Sequence, residues 1–440
     1  MNFRRRSIFA KHIGIHSMRL LPFLGAALTA CLLVSVVQAA NTMDSGTLPA
    51  SAEIRMPPEL PEFVRTVLQD NPRLQAARAA VDAAQAGTRA AGQPLYNPEL
   101  EIGAEQAESD TISIGVRQAI DWADKRGARH GIAAFEAEGA SAEFEATRQQ
   151  LIAELLLALG RHYTTDALDQ LAQQRVDLMQ RFLALAEKRR QAGDLNQVEL
   201  DLARLAHTRS LLQRAQTSAA RTDAEQALVA VTGAARQSWP ALPGRLPEPM
   251  SFDAQTALDG LPELQAQRAR IAAAQSTVTL RKREQRPDPS IGLRAGREDS
   301  ERLVGLSLSI PLYIRNGFRA ETQAANAQLI AAHQTGLDAY RRAQARLTSA
   351  TARYRVTYDA WAAWEHSGQP SQSSQLALLE RLWQAGELST ADYLLQLNQT
   401  LDTRTSALEL RGQLWRSWFD WLAASGRFDG WLNGSYLGFR

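Results

Sequence analysis

The chain repeats itself at long range, and this limits its possible folds more than any other feature. AGDLNQVEL (192–200) and AGELSTADY (385–393) are near-copies, with Gly193 and Gly386 separated by 193 positions. LQAARAAVDAAQ (74–85) returns as LQAQRARIAAAQ (264–275) at an offset of 190. Gly115 in SIGVRQAI matches Gly305 in LVGLSLSI, Gly127 matches Gly317, and Pro98 in NPELEIG is close to matching Pro289 in DPSIGLRAG. A period this long is not a solenoid unit; it predicts two similar halves within one body.

Each half follows one order: an alanine-rich helix, two alternating segments around a polar loop, then a long helix that turns at AG[DE]L and returns. In the first half Leu100, Ile102, Ala104, Ile112, Ile114 and Val116 share one face, while Glu99, Glu101, Glu105, Ser113 and Arg117 take the other. The second half repeats this, with Ile291, Leu293, Ala295, Val304, Leu306, Leu308 and Ile310 opposed to Gly292, Arg294, Gly296, Gly305, Ser307 and Ser309. The loops at 108–110 and 298–301 are short and polar, so these segments read as β-hairpins at 97–120 and 288–312. Each strand is about 10 residues long, enough for a tilted transmembrane strand. Four strands cannot close a barrel, and an open edge in lipid leaves backbone groups without partners, so a membrane role requires several copies. The other reading of alternation is a hairpin half-buried on an ordinary core.

Between about Asp124 and Gln191 there is no proline, and Leu168, Leu171, Leu178, Phe182 and Leu185 step as a coiled-coil seam. Val198, Leu202, Leu205 and Leu212 are expected to continue that seam after the turn. Gly193 and Gly386 supply the backbone freedom for a reversal, and Asn196 or Ser389 can cap the returning helix. HSGQPSQSSQ (366–375), with Gly368 and Pro370, predicts a bend or unwound segment in the second long helix. The domain reading is a first repeat at 57–237, a proline-rich linker at 238–253, a second repeat at 254–426 and a C-terminal tail at 427–440 that acquires no role.

The first 39 residues read as a signal peptide, with Arg4, Arg5, Arg6, Lys11 and Arg19 ahead of an apolar run ending in Val37-Gln38-Ala39, and residues 40–56 as a mobile lead-in. Translation from Met18 would give a shorter signal of the same kind. Removing the signal takes the formal net charge from +2 to −3, so the basic balance of the whole chain is no argument for nucleic acid. The single cysteine, Cys31, lies in the signal, within a Leu28-Thr29-Ala30-Cys31 box that resembles a lipoprotein processing site.

NPRLQAARAAVDAAQ followed by NPELEIG, ISIGVRQAIDWADKRGAR, VGLSLSIPLYIRNGFRAETQAANAQL and LLERLWQAGELSTADYLLQLNQTL occur in an order and spacing that resemble the outer membrane efflux protein family, of the TolC type. NPEL, the run ending SIPLYIRNG and the late Pro370 are most similar to its heavy-metal efflux branch, called CzcC-like. The resemblance covers roughly residues 57–426. It implies a mainly α fold with a small β part: duplicated long helical hairpins plus four transmembrane strands per protomer. A homotrimer would join a 12-stranded β-barrel in outer membrane lipid to an α-helical barrel in the periplasm. It also implies partners, a periplasmic adaptor and an inner-membrane pump of the resistance-nodulation-division type. Heavy-metal cations are the implied cargo; drug efflux, type I protein secretion or a periplasmic coiled-coil scaffold are the alternatives.

The resemblance places the adaptor contact at the tips, at Gly193, Asp194, Leu195, Gly386, Glu387 and Leu388, and an acidic constriction ring at Asp392, with Glu199 at the equivalent place in the first half. Leu395 stands where a further acidic residue sometimes occurs. Rings of carboxylates attract cations, whereas a solvated carboxylate on a returning helix is the plainer reading. Alternation nominates Glu99, Glu101, Glu105, Arg117 and Arg294 for a barrel lumen. No phosphate loop, HExxH or nucleophile elbow occurs in the sequence. His130, His162, His207, His333 and His366 form no i,i+4 metal pair. The expectation is a channel with no enzymatic activity, cofactor or resident metal.

Overall fold

A computed structural model describes residues 57–106 and 109–434. The signal at 1–39, the lead-in at 40–56 and the last part of the tail, 435–440, lie outside the described residues.

In chain order the elements are α1 (Glu59–Asp70), α2 (Pro72–Ala91), β1 (Glu99–Gln106), β2 (Asp110–Ala119), α3 (Lys125–Ala192), α4 (Gln197–Thr232), α5 (Ala254–Asp259), α6 (Pro262–Glu284), β3 (Ser290–Glu298), β4 (Glu301–Ser309), α7 (Arg319–Ala363), a π-helical turn (Trp364–Gly368), α8 (Gln369–Gln384), α9 (Thr390–Ser425) and α10 (Phe428–Leu432). The duplication is thus structural: α1, α2, β1, β2, α3 and α4 return as α5, α6, β3, β4, α7 with α8, and α9. Pro72 and Pro262 both open helices in the first turn, where a missing N–H costs nothing.

At 68 residues, α3 runs on the order of 100 Å, longer than any single globular core could bury. Its start is fixed by acids: Asp124 accepts from the Gly127 amide, and Asp121 accepts from the amides of Lys125 and Arg126. Gly127 lies so close to Asp124 that a Cβ there would stand 2.4 Å from Oδ1.

The four strands form one antiparallel sheet in the order β1-β2-β3-β4, leaving β1 and β4 as edges. In register, Leu100, Val116, Leu293 and Leu306 form one row and Ile102, Ile114, Ala295 and Val304 the next. All four connections to helices leave the sheet from one end, and the hairpin turns lie at the other.

Away from the sheet, the largest core gathers Leu60, Phe63, Ile152, Leu155, Leu156 and Leu159 with Tyr354, Trp418, Phe419 and Leu422. Gly160 lets the α9 aromatics approach α3: a Cβ there would lie 3.4 Å from the Phe419 ring. The tail contributes too. Phe428 and Trp431 of α10 are buried in this core, a role that residues 427–440 did not disclose.

One expectation is corrected. Val198, Leu202, Leu205 and Leu212 do not continue the seam against α3; they are 69%, 40%, 67% and 64% exposed. On α4 the buried positions are Leu200, Ala203, Ser210, Ala224 and Leu228, whose mainly small side chains allow close packing. The apolar heptad positions therefore form a free stripe. The α-helix is interrupted where the 366–375 stretch begins: a π-helical turn, Trp364–Gly368, stands between α7 and α8, and Pro370 lies in the first turn of α8. The wider turn absorbs the donor that proline lacks. Gly368 is required beneath Trp364, whose ring would stand 2.2 Å from an added Cβ.

Candidate functional site

The sheet brings together the five residues nominated for a lumen. Glu101 faces Gly115 across β1 and β2, Glu99 faces Arg117, Glu105 faces Thr111, and Arg294 is flanked by Gly115 and Gly305. Arg117 forms an ion pair with Glu101 diagonally across the strands, which places both on one face. Arg294 lies across a floor of glycine: a Cβ at Gly305 would stand 2.8 Å from Arg294 Nε, and one at Gly115 would stand 2.9 Å from the Leu293 carbonyl oxygen. The opposite face is apolar and uncovered, with Leu100, Ile102, Ile114, Leu293, Val304 and Leu306 all exposed.

Sequence reasoning missed charged residues at the far end of the second hairpin. Arg297 pairs with Arg302 and Glu298 with Glu301. By alternation the arginines fall on the apolar face and the glutamates on the polar one. Extending the period-two pattern by one residue at each strand end would have found them.

A second missed group lies where strands meet helices. Lys125 donates to Asp288 at 2.8 Å and to the Arg286 carbonyl at 2.8 Å, and the Tyr96 hydroxyl donates to the same Asp288 oxygen. Burial, reinforced by this hydrogen bond to a carboxylate, pushes the Tyr96 phenol well above its ordinary range. These residues carry no periodic signal, and 192 positions separate Tyr96 from Asp288.

The helical tips are twins. Gly193 and Gly386 adopt left-handed φ of 87° and 77°. Asp194 donates its amide to the Arg189 carbonyl and Glu387 to the Leu382 carbonyl, the six-to-one bond of a Schellman motif in each case. Asn196 and Ser389 then cap the returning helices. Glu199 accepts from the Asn196 amide and Asp392 from the Ser389 hydroxyl, so each candidate ring carboxylate already completes a helix cap.

Gly193, Asp194, Gly386 and Glu387 are exposed and Leu388 is half-buried. Leu195, expected among the partner-facing residues, is instead 5% exposed and packed inward. It closes a tip core in which Phe182, Trp383 and Tyr393 stack, with ring centroids 4.7 to 5.5 Å apart. The Arg189 guanidinium lies 4.8 Å above Trp383.

Among the described residues no group of three or more His, Cys, Asp or Glu could hold a metal, and no helix is long and apolar enough to cross a membrane. Burial lowers the His162 pKa below the ordinary imidazole value.

This arrangement, two glycine-capped helical hairpins joined to an open two-faced sheet, has counterparts. Residues 63–234 match the family described as Outer membrane efflux protein. That stretch of the chain is similar to the family. The cobalt-zinc-cadmium resistance protein CzcC of Cupriavidus metallidurans is 27% identical over 256 residues, 56% of this chain. That alignment spans about three-fifths of the relative's length, 61%. Among solved structures, the outer-membrane channel OprN superposes with a TM-score of 0.73 at 18% identity, covering 84% of this chain and 90% of that one. The transmembrane channel CusC superposes with a TM-score of 0.68 at 16% identity, covering 86% and 95%. At such identities the likeness establishes the fold alone, mostly helical with a small antiparallel sheet, as the sequence predicted.

Proposed function

We propose that three copies of this efflux protein form a conduit through the outer membrane and periplasm for heavy-metal cations, which an adaptor and an inner-membrane resistance-nodulation-division pump deliver to it. The observation carrying this reading is the sheet: two open edges, one uncovered apolar face and one charged face. In lipid the open edges would each cost several unpaired backbone groups, and closure against β1 and β4 of other copies removes that cost. Three protomers would supply twelve strands. The exposed stripe of Val198, Leu202, Leu205 and Leu212 offers heptad spacing for helix contacts between copies.

The heavy-metal cargo rests on the likeness to CzcC. In the assembled tube Glu99, Glu101, Glu105, Arg117 and Arg294 would face the lumen. The exposed tip residues Gly193, Asp194, Gly386 and Glu387 would meet the adaptor, and Glu199 and Asp392 would ring the aperture.

Fractionation followed by mass determination of the detergent-extracted complex tests the assembly. A trimer in the outer membrane is expected; a soluble monomer overturns the reading. Ile114→Lys and Leu306→Lys should each abolish assembly, since a lysine at mid-membrane on the lipid face costs about 2–4 kcal/mol. A deletion strain should lose tolerance to zinc, cobalt or cadmium. Retained metal tolerance with lost tolerance to organic toxins would reassign the cargo to drugs.

A further inference from the structure

We infer that Arg297 and Arg302 form a clamp for the headgroup phosphate of an outer-leaflet lipid; this rests on the barrel reading above. The two arginines stand directly opposite each other at the end of the β3–β4 hairpin. Like charges in this relation repel and destabilise a strand pair unless an anion lies between them. No ion pair involves either of them among the described residues, whereas Arg117, nearer the helices, is paired with Glu101. Both are exposed.

Their position selects the anion. Ile112 pairs with Arg297 across β2 and β3, so the arginines share a row with Ile112 and Ala104, the last apolar residues on that face before the turns. The next row towards the helices is Ile102, Ile114, Ala295 and Val304. The turns lie at the end of the sheet remote from the helices, which in the proposed assembly faces the cell exterior. A guanidinium pair at the outer rim of a lipid-facing apolar band sits at headgroup depth, where phosphate is the available anion and arginine binds it in bidentate geometry.

The opposite face sharpens the point. One residue further along, Glu298 and Glu301 form the reverse like-charge pair, and Glu298 accepts from Ser109 at 3.1 Å. The hairpin end thus sorts its charges by face: cations towards lipid, carboxylates towards the channel mouth. A hairpin in uniform solvent would gain by pairing them across the strands. Of the acids on the arginine side, Asp299 is spent on the turn, its Oδ1 accepting from the Asp110 amide at 2.9 Å, and Asp110 lies one row beyond the arginines, opposite Gln106. The first hairpin has no counterpart, since Gln106 faces Asp110 there.

The test uses the detergent-extracted complex, titrated with bisphosphorylated lipid A, with the same lipid dephosphorylated, and with inorganic phosphate, counting bound lipid by native mass spectrometry. Wild type should prefer the phosphorylated lipid, with roughly fivefold of the preference lost for each arginine removed. Arg297→Gln with Arg302→Gln should abolish the preference, Arg297→Lys with Arg302→Lys should keep part of it, and Arg315→Gln, beyond β4, should leave it intact. Equal binding of the two lipids by wild type overturns the clamp, whatever the variants do. Preference retained by the double glutamine variant at unchanged complex mass overturns it as well, as does displacement of the lipid by inorganic phosphate. A soluble monomer that needs no detergent removes the barrel reading and the clamp together; an extracted oligomer without phosphate preference removes the clamp alone.

Discussion

Lys125 donates to Asp288 across 2.8 Å with both side chains almost wholly buried, and so ties the first residue of α3 to the approach of β3. The pair is the joint between the two halves where strands become helices. Asp288 Oδ1 has no hydrogen-bond partner among the described residues, so the carboxylate depends on Lys125 and Tyr96 through its other oxygen. Lys125→Met leaves a buried carboxylate without its counter-ion, and the expected loss is about 3–5 kcal/mol. Tyr96→Phe removes one hydrogen bond to a charged group, about 1.5–3 kcal/mol. Thermal unfolding of the two variants should rank them in that order.

The glycines beside Arg294 differ in what surrounds them. A Cβ at Gly305 meets the flexible end of the arginine, which can move aside, whereas one at Gly115 meets the Leu293 backbone. Gly305→Ala should therefore assemble normally, and Gly115→Val should fail, as judged by the yield of heat-modifiable oligomer on gels.

At the second tip, structure and charge can be separated. Ser389→Ala removes the cap and should cost about 1 kcal/mol, read as earlier unfolding of the tip in hydrogen exchange. Asp392→Asn keeps an acceptor for the Ser389 hydroxyl but removes the charge. If the carboxylates ring an aperture, Asp392→Asn with Glu199→Gln lowers cation selectivity in planar bilayers; unchanged selectivity leaves both residues as caps only.

Tyr393 makes the tip sensitive to alkali. Burial, then the Glu380 carboxylate, pushes its phenol up from 10.0 to about 12, with Arg181 acting in the opposite sense. A folded pKa above the unfolded one means that stability is intact below pH 10 and is lost as the pH rises towards about 12, because the unfolded chain ionises first. Tyr393→Phe should flatten that loss in pH-dependent unfolding followed by Trp383 fluorescence.

The tail prediction is simpler. Phe428 is fully buried against the α9 aromatics, so Phe428→Ala should cost about 3–5 kcal/mol and lower the melting temperature. A variant melting like wild type would show that α10 adds nothing to the core.

Much of this protein could be read without coordinates. The strands of the two hairpins, from Glu99 to Ala119 and from Ser290 to Ser309, could be read because a pleated strand exposes alternate residues, a relation local to each segment. The tips at Gly193 and Gly386 could be read for the same reason: a left-handed residue between two helices is a local demand, met by glycine and followed by a capping side chain. Even the face assignment of Glu101, Arg117 and Arg294 followed from period two alone.

What sequence could not decide was which of several equivalent surfaces meets which. Val198, Leu202, Leu205 and Leu212 keep a regular apolar spacing, yet they stay exposed while Leu200, Ala203, Ser210, Ala224 and Leu228 are the buried positions of α4. Leu195 looks like a tip residue and is a core residue. Lys125, Tyr96 and Asp288 converge from three distant places, and Phe428 finds its pocket only once α9 lies against α3. By itself the sequence determined the elements, their order, the strand faces and the turns, since these depend on neighbours within a few residues. Only the tertiary structure decided the helix partners, the buried joint and the core, since these depend on contacts between residues remote in the chain.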